Sequence, residues 1–65
     1  MKSRIIPLVD DIIILEVKTN DSFEYYIRSE YNPFKHVFSV YNKFSKADLV
    51  QMLQNGYFDI WLEEH

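Results

Sequence analysis

The chain has no cysteine, so disulfides and thiolate-held metals are excluded. Glycine occurs once, at Gly56, which leaves no glycine-rich loop to cradle a phosphate and no calcium loop of the Asp-x-Asp-x-Asp-Gly kind. Histidine occurs twice, at His36 and His65, too few for a zinc site without carboxylate help. The composition therefore points to no cofactor. Long apolar runs are also missing. Ile5-Ile6-Pro7-Leu8-Val9 ends at Asp10-Asp11, short of the roughly 7–15 residues of a signal-peptide core and of the roughly 18 of a membrane span. With neither export signal nor span, the expected setting is cytoplasmic, and Asn20-Asp21-Ser22 carries no weight as a glycosylation acceptor.

At 65 residues the chain reads as a single small domain, 1–65, with no repeat or linker. A domain of this size buries only about 60% of the surface its unfolded chain exposes. Core burial or self-association must then hold the fold. Eleven aromatic residues supply the means, since each buries about 150–250 Å². The bias toward Ile, Lys, Asn, Tyr and Phe fits AT-rich codons, as in a bacterial, plasmid or phage gene. The net charge is −3. Charges balance over residues 1–45, and the excess comes from Asp48, Asp59, Glu63 and Glu64 against Lys46. That is a solvated end or an acidic patch for a basic partner.

Patterning predicts the elements. Residues 4–9 form a first strand, the weakest, confined by Pro7 to an edge or a stop. Residues 12–18 are a β-branched strand, and Thr19-Asn20-Asp21-Ser22 is a turn. Residues 23–29 alternate, with Phe23, Tyr25 and Ile27 on one face. Opposed residues of an antiparallel pair share a face. Placing Ile13, Leu15 and Val17 with that apolar set requires a three- or five-residue loop. A two-residue Asn20-Asp21 loop would set Val17 against Glu24 instead. Residues 35–42 form a fourth strand, with His36, Phe38 and Val40 on one face and Val37, Ser39 and Tyr41 on the other.

The helix is best marked. Ser45 reads as N-cap with Asp48 at N3, Phe44 and Leu49 fit a hydrophobic staple, and Gly56 fits the C′ stop. It should run from 46 to 54 and bury Leu49, Val50 and Leu53, with Met52 at the margin. Residues 57–63 alternate like a last strand, with Phe58, Ile60 and Leu62 opposite Tyr57, Asp59, Trp61 and Glu63. The expected fold class is α+β: a four- or five-stranded, mainly antiparallel sheet with one helix on one face, in β-β-β-β-α-β order.

No catalytic constellation emerges. Three residues apart on a regular strand, His36 and Ser39 face opposite ways, and Asp10-Asp11 read as turn formers. A non-enzymatic role follows. The clearest functional signal is an imbalance of covers. A nine-residue helix is about 13 Å long. Four or five strands span roughly 15–20 Å. One helix thus covers one face at most, yet the other face would still carry Ile12, Ile14, Tyr26, Trp61 and Tyr41. Such a patch marks an interface unless the N-terminal segment folds over it or the sheet curls on itself. The sequence therefore points to a cytoplasmic protein that binds another protein or itself, with a homodimer as one form of the latter; small size and AT-rich composition, rather than any residue pattern, would suit a phage or mobile-element inhibitor of a host protein. The alternative is a nucleic-acid-binding regulatory module using the sheet-surface aromatics Tyr26, Tyr41 and Trp61, against which the acidic charge argues. A structural or immunity-type subunit is the third reading.

Overall fold

The computed structural model describes residues 2–30 and 32–62. Glu63 and Glu64, two of the carboxylates behind the acidic excess, lie outside them, as do Met1, Tyr31 and His65.

Four strands form a meander: β1 (Lys2–Pro7), β2 (Ile13–Lys18), β3 (Phe23–Arg28) and β4 (Lys35–Val40). Their order in the sheet is that of the sequence, and every pairing is antiparallel. β1 is an edge strand ending at Pro7, where a missing N–H matters least. It extends the sheet sideways and does not fold over a face. Asp10 makes the bend to β2 with φ 53°, a left-handed conformation that Asp tolerates better than most residues. Leu8 N–H to Ile12 C=O (2.9 Å) and Ile12 N–H to Val9 C=O (3.0 Å) close this bend.

Two helices complete the chain: α1 (Lys46–Gln54) and the short α2 (Asp59–Leu62). Both ends of α1 follow the sequence signals. Asp48 N–H donates to Ser45 Oγ (3.1 Å) and Ser45 N–H to Asp48 Oδ2 (3.3 Å), a reciprocal capping box. At the other end Gly56 has φ 81°, Gly56 N–H donates to Leu53 C=O (3.1 Å) and Tyr57 N–H to Met52 C=O (3.0 Å). That pair of bonds is the Schellman closure. Leu49 is buried, and Met52 and Leu53 pack beside it. Val50, expected in the core, is only half-buried and stands outside that packing.

Two expectations are corrected. The first concerns residues 57–63, predicted as a last strand. Through Leu62 they form α2, with Trp61 and Leu62 N–H both donating to Phe58 C=O. Phe58, Trp61 and Leu62 satisfy helical spacing as well as Phe58, Ile60 and Leu62 satisfy alternation. The helical solution puts Phe58 in the core at 0% exposure and leaves Ile60 73% exposed. The observed order is therefore β-β-β-β-α-α.

The second correction is the β2–β3 register. Ile14 pairs with Ile27, Glu16 with Tyr25 and Val17 with Glu24, the register of the two-residue Asn20-Asp21 loop. Thr19 and Ser22 bracket that loop: Thr19 N–H donates to Ser22 C=O (2.9 Å), and Ser22 N–H to Thr19 Oγ1 (3.2 Å). Four consecutive apolar residues, 12–15, fit either face, so Glu16 decides. It points inward, where Tyr25 Oη–H donates to its Oε2 (2.6 Å) and Arg4 Nη2 pairs with the same oxygen (3.1 Å). A buried carboxylate is tolerable once so paired and bonded.

The core therefore lies between one sheet face and the helices: Ile6, Ile14, Tyr25, Ile27, Leu49 and Phe58. Tyr25 is its centre. Its ring meets Phe38 at 5.3 Å and Phe44 at 5.6 Å. Its hydroxyl also accepts from Phe44 N–H (2.7 Å), which ties the approach to α1 onto the sheet. Burial and the bond to Glu16 push the phenol up to about 12.

Candidate interaction face

The inward turn of Ile14 and Glu16 sends Ile13, Leu15 and Val17 to the other face. Paired strands share faces, so three rows run across this outer surface. Ser3, Val17, Glu24 and Ser39 form one row; Ile5, Leu15, Tyr26 and His36 the next. Pro7, Ile13 and Arg28 form the third, extended by Phe34, whose ring lies 5.1 Å from the Arg28 guanidinium. Ile5 is 53% exposed; Ile13, Leu15 and Val17 are half-buried but do not pack against the core. Among the described residues, neither helix lies on this face. Apolar side chains fill its β1–β2 half, and polar ones its β3–β4 half.

A β-bulge shapes the polar half. The pairing of β3 with β4 shifts between Tyr25 and Tyr26, so Tyr25 opposes Phe38 while Tyr26 opposes His36. Val37 is the extra residue and packs against the core with Phe38 and Val40. The shift brings His36 onto the face of Ser39, correcting the expectation that they point apart, and His36 Nε2 lies 3.2 Å from Ser39 Oγ. Its ring also meets Tyr26 edge-on at 5.3 Å. The pair is exposed, and among the described residues no carboxylate bonds the other His36 ring nitrogen, so nothing orients it as a base.

Among the described residues, two charges on β3 lack an opposite charge of their own. Glu24 accepts from Tyr26 Oη–H at 3.0 Å, and that bond leads in holding the Tyr26 phenol above its ordinary range. Arg28 rests over Phe34, and among the described residues its buried Nε has no acceptor. Four residues apart on a strand, the two charges are separated by about 13 Å and cannot meet within one chain.

Of the five residues singled out from sequence, Tyr26 alone stands in these rows. Tyr41 lies just past β4 and is 83% exposed, beside a recess it shares with Asp21, Ser22 and Ser39. Ile14 is fully buried in the core and Ile12 packs against it, so both belong to the covered side. Trp61 is on that side too, packed against the core and stacked on Tyr57 at 6.2 Å. Tyr26 and Trp61 therefore lie on opposite sides of the sheet and offer no common stacking surface. Ile5, Ile13, Leu15 and Val17, which sequence reasoning had hidden or passed over, make up the open surface. The signal that could have found them was the Asn20-Asp21 dipeptide, which suits a two-residue loop. Among the described residues no helix is long and apolar enough to cross a membrane, and no group of three or more metal-ligating side chains occurs. Compared with protein-family models, with curated proteins and with solved structures, the chain matches none.

Proposed function

We propose that the protein acts by non-enzymatic association through the uncovered sheet face, and that the occupant of this face is a second copy of the chain. The observation that carries the reading is an apolar surface that, among the described residues, neither helix covers and that also holds two charges without counterions. A two-fold interface reuses one patch. With the axis in the interface plane and perpendicular to the strands, β3 lies over β3 of the other copy in the opposite direction. Glu24 then meets Arg28 of the second copy, and Arg28 meets its Glu24. Tyr26 sits near the axis, and Leu15 and Ile5 face their own copies.

The footprint is roughly 20 by 20 Å from strand spacing and rise, small for a stable interface, so a dissociation constant in the micromolar range is expected. An inhibitory role in a phage or mobile element, the setting that the composition suggests, would on this reading be exercised by the dimer. Sedimentation equilibrium between about 10 and 500 μM tests it. Wild type should be dimeric at the upper end, and Leu15→Lys should be monomeric with an unchanged circular dichroism spectrum. A wild type that stays monomeric throughout would show that any occupant of the face is a different protein.

A further inference from the structure

Four of the seven basic residues of this acidic chain gather at one corner of the sheet. There Lys2 and Lys18 line a recess of about 490 Å³ and, together with Arg4 and Lys43, an adjoining one of about 280 Å³. Lys2 and Lys18 are direct cross-strand partners on the inner face, a like-charge opposition that weakens a sheet. Beyond Lys18 in the same row is Phe23, whose ring centroid lies 5.0 Å from Lys18 Nζ. Glu16 is the one carboxylate that lines either recess, and Arg4 occupies it. Among the described residues no carboxylate pairs with Lys2, Lys18 or Lys43. The corner therefore carries about three uncompensated positive charges in a chain whose net charge is −3.

We propose that this corner is an anion site for a small phosphate-bearing ligand with at least two negative charges. Lysine ammoniums are compact donors suited to phosphate oxygens. The larger recess has the size of a small-molecule site, about 300–1,000 Å³. A nucleic-acid strand is the poorer fit, because the cations converge on one corner. Arg28 stands apart on the outer face over Phe34, and Lys35 lies across the sheet at the far end of β4. Lys2 and Lys18 stand on the inner side and Leu15 lines neither recess, so Leu15→Lys should dissociate the dimer and leave the anion site intact.

The experiment is titration with pyrophosphate at constant ionic strength, followed by amide chemical shifts. Shifts centred on Lys2, Lys18 and Lys43 are expected, with affinity falling at least tenfold in Lys18→Gln and in Lys43→Gln. Lys43 lies outside the strand ladder, so its variant keeps the test alive if Lys18→Gln disturbs the sheet. Lys35→Gln and Lys46→Gln should bind like wild type. Three results would overturn the proposal: the same shifts with sodium chloride alone, equal weakening by Lys35→Gln, or a single-stranded oligonucleotide binding more tightly than pyrophosphate through the same lysines.

Discussion

Both faces of this sheet carry apolar side chains, but among the described residues only one is covered by a helix. On the inner face Ile6, Ile14, Tyr25 and Ile27 meet Leu49 and Phe58, and the buried polar atoms are bonded: Arg4 to Glu16, Glu16 to Tyr25, Tyr25 to Phe44 N–H. On the outer face, among the described residues, Ile5, Ile13, Leu15 and Val17 have no helix over them, and Glu24 and Arg28 have no counterion. The difference separates two jobs that β-branched and aromatic side chains can do. Where the charged groups are paired within the chain, the face serves folding. Where, among the described residues, they are not, the face is the one proposed for a partner.

The largest effects should come from breaking the inner face. Ile14→Ala should destabilise the monomer by about 2–5 kcal/mol, whereas Ile13→Ala, one residue away, should change it by about 0.5 kcal/mol or less. Chemical denaturation of the two variants reads the register directly, and the reverse order would restore the register that sets Ile13, Leu15 and Val17 with Phe23, Tyr25 and Ile27. Tyr25→Phe comes next. It strips the hydrogen-bond donor from the buried Glu16 and the acceptor from Phe44 N–H, at a cost of about 1–3 kcal/mol.

The same hydroxyl confers a pH dependence. Its pKa is raised in the folded state, so its contribution is complete below the ordinary tyrosine pKa of about 10 and is lost as pH rises toward about 12. Wild-type stability should fall over that window, and the Tyr25→Phe variant should show a smaller fall.

Smaller effects test the covering helix. Gly56→Ala should cost about 1–2 kcal/mol, because φ is 81° and an added Cβ would meet Asp59 Oδ2 at 3.1 Å. Ser45→Ala should cost about 0.5–2 kcal/mol through the lost cap. Thermal melts of both variants suffice, and an unchanged melting temperature for Gly56→Ala would contradict the C-terminal closure of α1.

These contrasts also explain what was legible beforehand. The four strands, the α1 bounds and both caps could be read because each rests on local chemistry: β-branched runs, Ser45 with Asp48, and one glycine after Asn55. The register could not, because Glu16 marks the solvent side by polarity and occupies the core by virtue of partners 9 and 12 residues away. The last element misled because a segment of six residues fits both periodicities, and only the packing of Phe58 and Trp61 chooses. The surplus of apolar side chains over what one helix can hide was visible as a quantity. Its address was not, since a one-residue shift of register exchanges the faces and trades Ile12 and Ile14 for Ile13 and Leu15. Trp61, expected on the open face, went with the misread strand. His36 and Ser39 came together through a bulge that alternation does not anticipate.

The most direct test of the open face is a charge exchange on β3. Glu24→Arg alone would oppose like charges across the proposed two-fold, and so would Arg28→Glu alone. Each should weaken the dimer at least tenfold by sedimentation equilibrium. The double variant Glu24→Arg/Arg28→Glu restores opposite charges in the same geometry and should recover most of the wild-type affinity. Single variants that dimerise like wild type, or a double variant no better than either single one, would contradict the pairing of β3 with its own copy.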